Sequence, residues 1–281
     1  MIPHVPLAPE IVFHLAGWPV SNTQINAFIA LAVFFIIGLI IRSTAKERPG
    51  RFQHAAEMLL EGLLSFFDQV TKNRALSRRF LPLVGTLFLF ILLSNWMGLL
   101  PGVGSLGVWH AMGGGEREFL PLLRPANSDL NLTLVMAFVT IIGSHIIGMV
   151  TLGFFVHWNK FIQLGTLWKA VTSLKPIAIL TALIEFAVGL LEIVSEIAKI
   201  ASLSLRLFGN IFAGEVLITV IASLAAFLVP LPFMALELIV GLIQATVFSM
   251  LALVYLTVMS TAPHGTHTVK DEHKAHVPTT A

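Results

Sequence analysis

The segment SLSLRLFGNIFAGE, residues 202–215, sets an arginine, Arg206, inside an apolar run that begins near Ile177 and continues to about Val229. An arginine near the centre of a bilayer costs about 2.5–3.5 kcal/mol on insertion scales. A chain that keeps one there needs an ionisable partner or a water-filled cavity to meet it. The alternative is an arginine near a helix end, whose head snorkels to the interface. The surrounding sequence favours the first.

Hydrophobic residues make up 56% of the chain and charged residues only 11%. Soluble domains carry about 25% charged residues, so this is an integral membrane protein. Apolar runs of about 20 residues span a bilayer as helices, and lipid admits little besides helices and closed barrels. The runs here lack strict alternation, which selects helices. The absence of cysteine excludes disulfides and thiolate metal sites. The expected fold is an all-α membrane protein of about five membrane helices, including a long tilted C-terminal helical hairpin, with an amphipathic surface helix in addition.

The proline-containing leader, residues 1–23, holds no Lys or Arg and so lacks the basic region of a cleaved signal peptide. It reads as an irregular external segment. Ile25–Ile41 is the first span, closed by Arg42, Lys46, Arg48 and Pro49-Gly50. Over residues 52–79, Leu59, Leu60, Leu63, Leu64 and Phe67 recur at helical spacing against charged residues, the pattern of a helix lying on the membrane surface. Phe80–Leu100 is the second span and Leu130–Val156 the third. Between them the loop 101–128, with Gly113-Gly114-Gly115, reads as a flexible connection and not a phosphate loop, since no Lys-Ser/Thr follows. A short basic connection precedes Ile177.

Residues 177–229 are too long for one upright span: at about 1.5 Å per residue they would reach roughly 80 Å. Either the run breaks into two, or it is one steeply tilted helix. Phe233–Met259 is the last apolar helix, and the tail 263–281 is polar. Positive charge concentrates in 42–79 and 157–176, while the loop 101–129 holds only Arg117 and Arg124. The positive-inside rule then places the N-terminus outside. A single crossing over 177–229 also puts Lys270 and Lys274 inside, so the single tilted helix is preferred. The chain thus divides into the leader 1–23, peripheral helices and loops over 24–176, a tilted hairpin over 177–262 carrying the ion pathway, and a cytoplasmic tail over 263–281.

At 100° per residue, Glu192, Ser195, Lys199, Ser202, Arg206 and Asn210 form one stripe, with Glu196 at its edge and Glu215 on the opposite face. Ionisable residues inside a membrane mark ion or proton pathways. The last helix adds Glu237 and Gln244 on one face. A tight proline turn would fold it back, bringing Glu237 towards Glu215 and Gln244 towards Arg206.

Arg206-Leu207-Phe208-Gly209-Asn210 followed by Ala213-Gly214-Glu215 resembles the signature of the subunit a family of F-type ATP synthases. The resemblance covers nearly the whole chain, including Pro125-Ala126-Asn127-Ser128-Asp129 with Asn131 and Thr133, and Gln244. It implies a non-catalytic, proton-translocating stator subunit working against a ring of c subunits, with b-type peripheral stalk subunits, the lipid bilayer and protons as its other partners. It implies that Arg206 faces the ring with Gln244 beside it, and that Glu192, Ser202 and Asn210 lie near the inner access route. Glu215 and Glu237 would line the outer one. Some members carry a histidine at one of that pair, whereas both are glutamate here. The location implied is an energy-transducing membrane, the bacterial inner membrane.

No Walker-type loop or catalytic triad is visible, so no nucleotide site, cofactor, metal or nucleic-acid partner is expected. His145 is expected either to line the outer channel or to be a packed histidine bonded to a neighbouring helix. Lys199 reads as a partner for Glu192 or Glu196, Trp158 and Trp168 as interfacial anchors, and the tail histidines as part of a disordered segment. A stand-alone proton-coupled transporter is the main rival, but it would tend to show internal repeats. An intramembrane enzyme is the other, and it lacks a nucleophile or metal motif.

Overall fold

The computed structural model describes residues 6–46, 50–100, 103, 106–111, 117–158, 176–225 and 228–261. The glycine run 113–115, the lysines and Trp168 of the connection 159–175, and the tail from 262 onward lie outside the described residues, as do residues 47–49.

The leader is not irregular throughout. β1 (Ile11–Leu15) and β2 (Trp18–Ser21) form an antiparallel hairpin with Leu15 opposite Trp18. Ala16 and Gly17 turn it with φ of 50° and 88°. Two successive positive φ values suit the right-handed twist of paired strands, and glycine adopts them without strain. Ser21 then caps α1 (Asn22–Thr44) in a capping box with Gln24.

The expected surface segment over 52–79 divides in two. α2 (Arg51–Thr71) ends where Lys72 turns left-handed, at φ 55°. The Asn73 side chain accepts hydrogen bonds from the amides of Ala75 and Leu76 and starts α3 (Arg74–Gly98). The second membrane helix therefore begins before Phe80, because an asparagine cap outweighs the continuity of the charge pattern. The loop expected to be a flexible connection also has order: β3 (Gly107–Ala111) pairs antiparallel with β4 (Arg117–Pro121). A 3-10 turn follows over Ala126–Ser128, and Asp129 caps α4 (Leu130–Leu152) by accepting from the Asn131 amide.

α4 stops short of the expected Val156. Gly153, at φ 90°, reverses the chain into the short α5 (Phe154–Trp158). α6 (Pro176–Leu224) is one unbroken helix of 49 residues, about 74 Å long at the standard rise. Of the two arrangements open from the sequence, this is the single helix. α7 (Pro230–Ser260) begins with proline in its first turn, where a missing amide hydrogen costs nothing. Among the described residues five helices, all but α2 and α5, are long and apolar enough to cross a membrane.

The core lies where α3, α4, α6 and α7 meet. Phe88 and Ile91 pack with Met136 and Ala137, Leu203 and Leu207, and Ala245 and Phe248. A second cluster seats α2 on this bundle through Phe67 against Phe80, Val84, Leu253 and Leu256. By contrast α1 exposes Phe28, Leu31 and Phe35, the surface of a helix facing lipid or a neighbouring chain.

Polar bonds tie the bundle together at the end that carries the β-hairpins. Thr23 donates to Asp129 Oδ2 at 3.1 Å, and Asn26 donates to the Arg124 carbonyl at 2.8 Å. Asn127 donates to Asn95 Oδ1 at 2.7 Å, and Asn95 donates to the Gly241 carbonyl at 3.1 Å. Water cannot replace these partners at buried positions, so each bond is costly to lose.

Two measurements follow from these contacts. Asn95→Ala removes the 2.7 Å acceptor of the Asn127 amide, leaving it the Ile91 carbonyl at 3.4 Å, and removes the side-chain donor to the Gly241 carbonyl; it should lower stability in detergent by about 1–3 kcal/mol, read as a fall in the unfolding midpoint. At the α2–α3 corner, the Ser77 hydroxyl and then the Arg74 guanidinium hold the Asp68 carboxyl below its ordinary range. Arg74 donates to Asp68 Oδ2 at 2.7 Å and pairs with Glu61. A carboxyl lowered by folding contributes fully above its unfolded value, and that contribution is lost as pH falls through the lower folded value. Acid should therefore release α2, exposing the corner at 72–73 to protease, and Asp68→Asn should remove this pH dependence.

Candidate functional site

The titratable groups of α6 separate by depth because the helix is continuous. From Lys199 to Arg206 is about 10 Å along the axis, and from Arg206 to Glu215 about 14 Å. Each level meets a different neighbour.

At the hairpin end, Glu215 Oε1 accepts a hydrogen bond from Arg124 Nε at 2.7 Å. Arg124 is 3% exposed and Glu215 17%. The guanidinium also donates to the Ala8 carbonyl at 3.3 Å and lies 5.9 Å from the centre of the Phe212 ring. Arg124 Nη2 and Glu215 Oε2 are buried without a hydrogen bond among the described residues. The Glu237 carboxylate lies against Gly214, where any Cβ would overlap it. α7 thus brings Glu237 to the turn of α6 that carries Glu215, as the hairpin geometry predicts.

At mid-height, Asn210 donates to Gln244 Oε1 at 2.6 Å. Gln244 is buried, and its Nε2 has no hydrogen bond among the described residues. The expected approach of Gln244 to Arg206 is thus offset by one helical turn: its bonded partner is Asn210. The register of the two helices, fixed by packing of Leu207 and Ile211 against Ala245 and Phe248, decides this. Arg206 itself is exposed, and its Nη2 donates to Ser202 Oγ at 3.4 Å. Among the described residues it forms no ion pair, whereas Arg124 and Lys199 each have a carboxylate.

At the opposite end, Glu196 Oε1 accepts from Lys199 Nζ at 2.7 Å. The lysine is the partner of Glu196, not of Glu192, and it also lies 5.4 Å from the centre of the Tyr255 ring. His145 on α4 approaches both Glu196 and His157. Glu192 is half-buried and Ser202 exposed on α6.

Reading the sequence alone left Arg124 as an ordinary loop charge, and this is the main residue it missed. Arg124 directly precedes the Pro125–Asp129 motif, and that position is the signal that could have raised it. Glu196 lies at the edge of the stripe by helical angle, yet His145 of α4 and Lys199 of α6 both reach its carboxylate. No group of three or more His, Cys, Asp or Glu capable of holding a metal ion occurs among the described residues.

The family model described as ATP synthase A chain matches residues 25–257. Among curated proteins, ATP synthase subunit a of Moorella thermoacetica is 30% identical over 249 residues, covering 88% of this chain and 94% of its own length. The subunit a of Trichlorobacter lovleyi is 28% identical over 236 residues, covering 84% and 86%. That of Geobacter sulfurreducens is 29% identical over 229 residues, covering 82% and 83%.

Removing one member of a buried ion pair costs about 3–5 kcal/mol because the other charge is left unpaired. Arg124→Gln or Glu215→Gln alone should therefore lower the unfolding midpoint in detergent strongly. The double variant should lose much less than the sum, and simple additivity would mean that the pair is not coupled.

Proposed function

The chain belongs to the ATP synthase A chain family, and on that premise we propose that it is the proton-translocating stator subunit of an F-type ATP synthase, with Arg206 as its coupling charge. One observation carries this reading. Arg206 is exposed midway along a membrane-crossing helix and has no ion pair among the described residues. A cation left open at that depth calls for a carboxylate from another chain, and a ring of c subunits supplies one.

A ring carboxylate must be neutral to face lipid, because a bare charge in hydrocarbon is prohibitive. Opposite Arg206 it can ionise. Two offset aqueous half-channels load and release its proton on opposite sides, and the fixed guanidinium between them blocks direct transfer. Arginine suits this role better than lysine, because it stays charged even when partly desolvated.

Glu215 and Glu237 line the outer half-channel in this scheme. Glu192 and Ser202 belong to the inner one, and the Asn210–Gln244 bond stiffens the hairpin beside the arginine. The N-terminus lies outside and the C-terminus inside, in a bacterial inner membrane, with b-type stalk subunits holding the chain against rotation. No step of nucleotide chemistry falls to this chain.

ATP-driven acidification of vesicles bearing the assembled complex tests the reading. Arg206→Ala should abolish pumping while the complex still assembles, and a passive proton leak would add that Arg206 separates the half-channels. Normal pumping by this variant would overturn the proposal.

A further inference from the structure

The inner end of α6 faces a cluster for which the scheme around Arg206 has no use. His145 comes from α4, His157 from α5, and Glu196 and Lys199 from α6. His145 Nδ1 lies 3.1 Å from His157 Nε2, and His145 Nε2 lies 3.5 Å from Glu196 Oε2. One imidazole therefore bridges a second imidazole and a carboxylate through its two different ring nitrogens. The other carboxylate oxygen of Glu196 accepts from Lys199 at 2.7 Å. Oε2 is buried and makes no hydrogen bond within the usual distance among the described residues, so it can still accept a proton from His145.

The position of His157 is built, not incidental. Gly153 turns the chain back at φ 90° so that α5 lies against α4. Gly148 then leaves a notch for the ring: a Cβ there would stand 2.8 Å from His157 Nδ1 and 2.9 Å from the Met259 carbonyl. His157 is only 2% exposed as a result. Packing alone would be served by an apolar side chain, which needs no polar neighbour in the membrane.

We propose that His145 is a proton relay at the inner end of this subunit, passing protons between His157 and Glu196. The inference rests on the reading of α6 as the ion-pathway helix. In one step, the Nε2–H bond of a protonated His157 breaks, leaving that ring neutral, and its proton forms an N–H bond at His145 Nδ1. The N–H bond at His145 Nε2 breaks and its proton goes to Glu196 Oε2, so the His145 ring ends neutral and no electrons are exchanged. The return exchange between the two ring tautomers resets it. Among the described residues, His157 of α5 and Glu196 of α6 face His145. Lys199 balances the carboxylate, and Tyr255 of α7 lies beneath the ammonium. Glu196 stands about 9 Å along the helix from Ser202, which contacts Arg206.

The test uses vesicles with the assembled complex and compares wild type, His145→Asn, His145→Ala and Arg206→Ala. Proton flux in both His145 variants should fall about a hundredfold, the low end of what a positioned acid–base group contributes. Added imidazole should restore flux in His145→Ala, and the solvent deuterium effect of wild type should return with it. Normal flux in His145→Asn would overturn the relay, as would a loss that imidazole cannot rescue. If the His145 variants do not assemble, 15N spectra of the ring in the unmodified complex decide: two exchanging tautomers support the relay, and one fixed tautomer overturns it. Arg206→Ala separates the two readings. Normal pumping there removes the premise, while loss there with normal flux in His145→Asn removes the relay alone.

Discussion

A charge inside a membrane must be answered by another charge or by water, and this constraint governs the placement of the basic residues in the bundle. Arg124 is held by Glu215 at 2.7 Å, and Lys199 by Glu196 at 2.7 Å. Arg206, lying between them in depth, has a single serine hydroxyl at 3.4 Å. Among the described residues, two of these three cations have a carboxylate within the chain and Arg206 has none. The separation works only because α6 runs unbroken for 49 residues. A break near Arg206 would free backbone groups that lipid cannot satisfy, and they would compete for the same side chains.

The satisfied pairs also organise the two ends of the bundle. At one end, Arg124 ties the loop after β4 to α6, while Asn26 and Thr23 tie α1 to that loop and to Asp129. Small polar side chains serve well here, because they let helices approach closely while matching buried carbonyls. At the other end, histidines on α4 and α5 meet the Glu196–Lys199 pair on α6. The mid-section holds less charge: one Asn–Gln bond and the open arginine. Among the described residues, the ion pairs that α6 makes thus lie on either side of Arg206 along the helix.

This arrangement gives the family assignment a physical content. In the proposed scheme, the stator must offer a permanent charge that a passing carboxylate can meet and leave. A guanidinium already neutralised by its own carboxylate would attract a further one less, and one in open water would attract only weakly. On that proposal, the Arg206 side chain, exposed on a packed helix, avoids both outcomes.

Much of this was legible along the sequence. Hydropathy gave the spans, helical periodicity gave the stripe from Glu192 to Asn210, and the proline turn gave the fold-back of α7 onto α6. These depend on local chemistry: apolar length, 3.6-residue spacing, and the lack of an amide hydrogen in proline. Boundaries shifted where a single residue acted on the backbone, as Asn73 did by capping α3 and Gly153 by reversing the chain after α4. The partners of each charge were not legible. That Glu215 meets Arg124, 91 residues earlier in the chain, and that Gln244 bonds Asn210 and not Arg206, depends on how helices pack side by side. Their register is set by interdigitating apolar side chains, and one turn of slip exchanges every polar partner. The sequence determined which groups enter the membrane and on which helix face; only the tertiary structure decided which of them are neutralised and which remain open, because pairing acts over a few ångströms between segments far apart in the chain.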